Sequence, residues 1–470
     1  MVQFFELIIK IMKTVKKLKH FIWSLLLLVV MPIGSTNAQK KGTTKPTGKP
    51  NIIVIIVDDL GSGDVSSLFR TVVKTPNIDR FATEGVKFES GYVPVPLCGP
   101  SRAAFFTGLY PQRFGFSDNG GGIPTTVPML PTILKNAGYY TAHIGKWHSS
   151  GPMPHLRDDF NETLCSPISS PFINYYNPKL ARNGVVENST EYSTDLFARE
   201  SMEFIERNKN RPFQLTVAFN APHILANVKK AASIKESYES SIAAGKPMQV
   251  PKKNMARPGE ADKYMSQVAN DSARADVVAT IVALDQAVGK ILDKLKETGL
   301  DKNTIVFFFG DNGAHPENRS ENLPLRDYKW TVYEGGIRTP FFAMYPGVFP
   351  AGLNYKQPVS TLDIFKTCTA LTGTKNSEPT NLDGVDLTPY VTNKITSAPH
   401  EALFFKLGNL GAVRQGKWKF VVTDNKQIEL FDLSVDVAEK VNLATKQPAL
   451  VTDLWNKWKA WNVQVSIVKN

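Results

Sequence analysis

The feature that most constrains this chain is a set of strongly apolar runs, each of which stops at polar, ligand-type side chains. NIIVIIVDDLG (51–61) and NTIVFFFGDNGAH (303–315) run apolar over Ile52–Val57 and Ile305–Phe309 before Asp58–Asp59 and Asp311–Asn312, and PFQLTVAFNAPH (212–223) ends near Asn220 and His223. A strand with no polar face has to be covered on both sides, which places it inside a parallel sheet. Between such strands lie helical stretches. In 271–299, Val277, Ile281, Leu284, Val288, Ile291 and Leu295 recur at helical spacing. Strands alternating with helices predict an α/β fold, a large, mixed but mainly parallel sheet sandwiched by helices. Ligands of such sheets bind beyond the carboxyl ends of the strands, where all three polar endings fall. From about Asn381 the texture changes to short strands and turns (GAVRQGKWKFVVTDNKQIELFDLSVD) and a Trp-rich last helix. That predicts a smaller C-terminal antiparallel-sheet subdomain over 381–470, following a main domain over 51–380.

The first residues follow another logic. A lysine-rich start, an apolar stretch from Phe21 to Ile33 and small residues up to Ala38 read as a secretory signal over 1–38, cleaved after Ala38. The apolar stretch is short for a membrane span, and Met12 is an alternative start. Residues 39–50 are a Lys/Gly/Pro linker. These expectations make the chain secreted or periplasmic, with no stable membrane span. The net charge of +12 falls to about +8 without the five lysines and one glutamate of 1–38, and the linker carries four more lysines. The body is therefore only mildly basic. It suits an anionic substrate, and with no basic helix or zinc spacing it gives no sign of nucleic-acid binding. Three cysteines, Cys98, Cys165 and Cys368, cannot form a disulfide framework; Cys165 and Cys368 are open to pairing or to staying free.

Carboxylate and amide oxygens from two strand ends (Asp58, Asp59, Asp311, Asn312) are hard ligands suited to Ca2+ or Mg2+. The same residue types cap helices and turns, so either pair alone decides nothing. In HIGKWHSSG (143–151), Lys146 and His148 flank Trp147, and an extended backbone would turn both to one face. His223 follows a strand, and Lys329 precedes a glycine turn. Cys98, ahead of Gly-Pro-Ser-Arg, admits a thiolate-nucleophile reading, which leaves the four oxygen ligands unexplained.

VPLCGPSRAAFFTG (95–108) resembles the signature of the formylglycine-dependent (type I) sulfatases of the alkaline phosphatase superfamily, Cys-x-Pro-Ser-Arg followed by an aromatic residue, Thr and Gly. DDLG, GKWH, APH, DNG, YEGGIRTP and VRQGKWKF occur in the family's order along nearly the whole chain after the leader. The resemblance implies that a formylglycine-generating enzyme converts Cys98 to Cα-formylglycine. It implies Ca2+, with Mg2+ second, at Asp58, Asp59, Asp311 and Asn312, completed by residue 98. It also implies a pocket of Arg102, Lys146, His148, His223 and Lys329. In that scheme a hydroxyl on residue 98 attacks sulfur, and the three cations offset charge on the sulfate oxygens. His223 protonates the departing alcohol, and His148 takes a proton from residue 98 to release sulfate. Two departures, Ala314–His315 after Asp-Asn-Gly and Ser149–Ser150 after GKWH, bear on substrate fit. His315, Arg319 and Arg157 are candidate substrate contacts; solvated surface charge is the alternative for each.

The expected activity is hydrolysis of sulfate esters on a sulfated polysaccharide or oligosaccharide. An algal galactan of the carrageenan type is preferred on overall texture, especially SENLPLRDYK (320–329). A phosphodiesterase or phosphonate monoester hydrolase of the same superfamily is an alternative, as is a non-catalytic binder of sulfated glycans.

Overall fold

The computed structural model describes residues 48–69, 71–118, 120–149, 151–168, 173–224, 255–423 and 426–466. The expected signal segment and nearly all of the linker lie outside the described residues. Those described belong to one compact unit spanning Lys45–Asn470.

A ten-stranded sheet organises the molecule. Its centre is four parallel strands side by side: β4 (Thr304–Gly310), β1 (Asn51–Val57), β3 (Phe213–Ala218) and β2 (Tyr140–Gly145). Glu162–Cys165 continues the parallel set beside β2. Antiparallel pairs close both flanks, with β5 (Phe341–Met344) against β4 on one side and Lys179–Arg182 against Glu162–Cys165 on the other. The sheet is thus mixed and mainly parallel, as expected. Every residue of β1, β3 and β4 is buried. Alternate β1 side chains enter opposite cores: Ile53, Ile55 and Val57 pack with one helical layer, Ile52, Val54 and Ile56 with the other.

The long helix, α2 (Ser272–Glu297), buries its six predicted apolar positions against the first layer. Asp271 caps it by accepting the Ala273 and Arg274 amide N–H groups. In the second layer lies α1 (Cys98–Thr107), buried at every position and terminated by Gly108 in the left-handed region (φ 65°). Cys98 is the first residue of this helix. Pro100 sits in the first turn, where its missing N–H costs nothing.

The C-terminal residues form a four-stranded antiparallel sheet of consecutive hairpins, β6 (Leu403–Leu407), β7 (Leu410–Gln415), β8 (Trp418–Val422) and β9 (Ile428–Asp432). Helix α3 (Pro448–Ser466) lays Leu454, Trp458, Trp461 and Val465 against it. Cys165 and Cys368 are both free and buried, so the pairing left open by the sequence is absent.

A buried ion network couples this sheet to the Tyr-Glu-Gly-Gly turn. Lys419 Nζ lies 3.0 Å from Glu334 Oε1 and 3.1 Å from Glu439 Oε1, and Lys419 and Glu334 are fully buried. Glu439 accepts the Glu334 amide N–H at 2.8 Å, and burial with Glu334 alongside pushes its carboxyl up to about 7. Removing the shared cation takes the ion-pair partner from Glu439 and leaves Glu334 with the Tyr92 hydroxyl at 2.9 Å and Arg338 at 3.5 Å. Lys419→Met is expected to cost about 3–5 kcal/mol in urea unfolding; a loss under 1 kcal/mol would show that water or rearrangement replaces the lysine.

Candidate active site

The four central strands deliver their carboxyl ends to one place, and backbone hydrogen bonds fix the residues just beyond. The Asp311 amide donates to Val57 O (3.0 Å), Asp58 to Ala221 O (3.2 Å) and Lys146 to Ala218 O (2.8 Å). Asp58–Asp59 follow β1, Asp311–Asn312 follow β4, Lys146 follows β2 and His223 follows β3. Asp59 adopts φ 61°, which folds it back into the cluster. Helix α1 brings Cys98 and Arg102, one turn apart, to the same point.

One predicted argument fails locally. The chain is not extended through Lys146–His148. Strand β2 stops at Gly145, whose φ of 106° turns the chain, and His148 sits at φ 41°. At Gly145 a side chain would meet the Ala218 carbonyl, so glycine is what lets the two strand ends approach. Lys146 and His148 still meet the cluster, through this turn rather than through strand alternation.

The contacts are ionic and buried. Arg102 Nε reaches Asp311 Oδ2 at 2.8 Å and its Nη1 donates to Lys146 O at 2.9 Å. Lys146 Nζ pairs with Asp58 Oδ2. Lys329 Nζ stands 2.7 Å from Asp59 Oδ1 and 2.9 Å from Cys98 Sγ. His223 Nε2 is 3.5 Å from Asp59 Oδ2, while its Nδ1 lies 2.7 Å from Ile224 O. A carbonyl only accepts, so Nδ1 carries a proton and Nε2 faces the cluster. Three carboxylates and three cations therefore occupy one buried cluster.

Their fields sort the protonation states. Burial raises the carboxyl of Asp59, but Lys329, His223 and further cations outweigh it and hold it far below the usual range. Asp311 is pushed up to about 6 by burial and by Asp58. Burial pushes the Cys98 thiol up to about 11, against the pull of Lys329. His223 lies within 4.8 Å of the sulfur, a base the sequence did not reveal. A thiol held near 11 is nonetheless a poor thiolate nucleophile at neutral pH, which counts against the Cys–His hydrolase reading. His148 is held well below its ordinary value by burial and then Lys146, and His223 is pushed down to about 3 by burial and then Lys146.

Asp58 Oδ1, Asp59 Oδ2 and Asn312 Oδ1 are buried without a hydrogen-bond donor. Orphaned buried oxygens are costly. Three converging from two strand ends match the hard-oxygen shell of Ca2+ or Mg2+. The atoms that Asp58, Asp59, Cys98 and His223 offer lie within 4.8 Å of one another. The residues present therefore fit a hard divalent cation.

The three substrate candidates separate. His315 is buried, its ring 4.7 Å from Trp330 and 6.4 Å from His223. Arg319 lines an adjacent cavity and pairs with Asp271. Arg157 is buried, paired with Asp159, and donates to Ile123 O at 3.0 Å. Ile123 in turn donates its amide N–H to Ser149 O, so Arg157 braces the loop after His148. Sequence reasoning missed Asn318 as a site residue. Its Nδ2 reaches Asp59 O at 3.4 Å and Pro222 O at 3.1 Å, joining the β1 and β3 ends. Its burial also removes it as a glycosylation acceptor, although it lies in an Asn-x-Ser sequence.

Comparison with known proteins agrees with this geometry. The family model described as Sulfatase matches residues 50–374. N-acetylgalactosamine-6-sulfatase of Mus musculus is 32% identical over 434 residues, covering 84% of this chain and 75% of its own. The uncharacterized sulfatase YdeN of Escherichia coli (strain K12) is 29% identical over 506 residues, covering 87% and 84%. The crystal structure of Ps i-CgsB in complex with k-i-k-neocarrahexaose is similar with a TM-score of 0.74 and 29% identity, over 88% of this chain and 92% of that one. A phosphonate monoester hydrolase of Agrobacterium radiobacter shares the fold, with a TM-score of 0.62 and 20% identity, over 89% and 96%.

If the orphaned oxygens are cation ligands, Ca2+ at a hundredfold excess over its Kd should add about 2.7 kcal/mol of stability. Thermal melts with and without Ca2+ are expected to show this rise in the wild type and not in Asp58→Ala or Asn312→Ala. A wild-type midpoint indifferent to Ca2+ would count against the assignment.

Proposed function

The chain belongs to the sulfatase family and hydrolyses sulfate esters; from that premise we propose that it is an exported enzyme acting on a sulfated galactan of the carrageenan type. The observation that carries the chemistry is the placement of Lys329 Nζ 2.9 Å from Cys98 Sγ and 2.7 Å from Asp59 Oδ1, inside a cluster of three buried carboxylates and three cations. Export rests on the leader over 1–38. The galactan reading is supported by the texture of 320–329 and by likeness to a structure that holds a neocarrahexaose.

Ca2+ would be held by Asp58, Asp59, Asp311 and Asn312 with residue 98, and when bound it supplies Lewis acidity toward the sulfate oxygens. Cys98, oxidised by a formylglycine-generating enzyme to an aldehyde, takes up one water to become a geminal diol, and one hydroxyl of that diol is the nucleophile. It stands at the first position of α1, where the helix end favours developing negative charge. Arg102, Lys146 and Lys329 surround that charge at a buried site, where preorganised cations are most effective. His223 presents Nε2 toward the leaving alcohol. Burial disfavours its imidazolium, and an anionic sulfate ester beside it acts in the opposite direction, supporting its role as proton donor. His148, kept neutral and with Nδ1 unpartnered, is suited to take a proton from residue 98.

Expression with a formylglycine-generating enzyme is expected to leave the peptide containing residue 98 about 18 Da lighter than its cysteine form. Cys98→Ala should lower kcat/KM on the order of a thousandfold or more. An unmodified cysteine in active protein would overturn the nucleophile assignment. His223→Ala should cost about 10^2–10^4 on a galactan sulfate but far less on an aryl sulfate, whose phenol leaves without protonation. Equal losses on both substrates would remove His223 as the acid. Turnover of a phosphonate ester with no sulfate ester cleaved would overturn the sulfate reading itself.

A further inference from the structure

The residues between Asn312 and Lys329 form one wall of a cavity of about 860 Å3 that opens beside the site. Ala314 and His315 stand at its inner end, and the Lys329 amide donates to Ala314 O at 3.0 Å. The opposite wall comes from Glu429 on β9 and from Ala438–Lys440 in the segment after it. This volume is in the upper part of the roughly 300–1,000 Å3 range of small-molecule sites, too large for a sulfate group alone. His315, whose ring is 6.4 Å from that of His223, joins this space to the site.

The guanidinium groups around that space are already matched. Arg274 makes a two-pronged pair with Asp64 at 2.5 and 3.0 Å, with Glu321 a further 3.6 Å away. Arg319 is paired with Asp271. Arg326 stacks on the Tyr333 ring at 3.8 Å, donates to Glu439 O at 3.1 Å and has Glu429 at 3.6 Å. Asp327 adds a further carboxylate to the lining, and Lys440 is an exposed lysine in it. Each lining guanidinium thus already faces a carboxylate. A second sulfate entering here would have to displace a carboxylate or lie against one, and like charges brought together across an interface oppose binding. Leu323, 67% exposed in the lining, offers instead an apolar surface of the kind a neutral sugar face covers.

We propose that this cleft selects a neutral neighbouring ring, so that the preferred substrate carries its sulfate on the reacting sugar and none on the sugar beside it. The inference rests on the galactan reading above. Specificity arises from carboxylates that occupy the guanidinium groups, chiefly Asp271 on Arg319 and Glu429 on Arg326.

The test compares kcat/KM of the matured enzyme on two neocarrabioses, one with a single sulfate and one with a second sulfate on the neighbouring ring, with an aryl sulfate as control. The wild type is expected to favour the monosulfated compound by about tenfold or more. Asp271→Asn keeps a good helix cap while withdrawing the charge from Arg319, and Glu429→Gln does the same for Arg326. Either variant should shift the ratio toward the disulfated compound by about threefold or more. Equal or better wild-type turnover of the disulfated compound would overturn the inference alone. A wild-type preference that neither variant moves would overturn its assignment to these ion pairs. Aryl sulfate turnover with neither neocarrabiose cleaved would overturn the galactan reading and this inference with it.

Discussion

Six buried charges in mutual contact are the constraint on which the rest of this structure depends. Asp58, Asp59 and Asp311 face Arg102, Lys146 and Lys329, and none is more than 3% exposed. Any one of them alone would be prohibitively costly to remove from water. Together they are tolerable only with close pairing and additional hydrogen bonds. The surrounding architecture supplies these at positions set by backbone, from Lys146 N on Ala218 O to Asp311 N on Val57 O. The orphaned oxygens of Asp58, Asp59 and Asn312 are the part of the cluster that protein groups leave open, and there a hard cation fits.

The precision of that cluster comes from the rigidity of the parallel sheet. Strands β4, β1, β3 and β2 are held in register by continuous ladders, with helices packed on both faces. Their ends are therefore four fixed points. Loops alone would leave these charges free to move apart into water, and the field that holds Asp59 ionised and His148 neutral would collapse with them.

The C-terminal sheet has two structural consequences. It shields the Tyr-Glu-Gly-Gly turn through the buried Lys419–Glu334–Glu439 network, and so supports the turn that follows Lys329. With the segment after β9 it also supplies the second wall of the cavity beside the site. The C-terminal subdomain thus bears on both the stability of the Tyr-Glu-Gly-Gly turn and the shape of the adjoining cavity.

Much of this was legible in the residues themselves. Apolar runs such as Ile52–Val57 and Ile305–Phe309 determine buried parallel strands, because only burial on both faces accommodates them. Their polar endings meet at one end of the sheet, and the Cys-Gly-Pro-Ser-Arg segment brings Cys98 and Arg102 to the same cluster. The tertiary structure alone decided which strands became neighbours, since β1 lies between β4 and β3 at sequence distances no local pattern encodes. It also overruled the strand alternation assumed for Lys146 and His148, because Gly145 turns where the Ala218 carbonyl leaves no room for a side chain. Arg157, a plausible anion contact by residue type, became a buried brace once Asp159 and Ile123 O lay within reach. Arg319 likewise met Asp271, a helix cap 48 positions before it in the chain. Residue type determines what a side chain can do, and its partners across the fold determine which of those things it does.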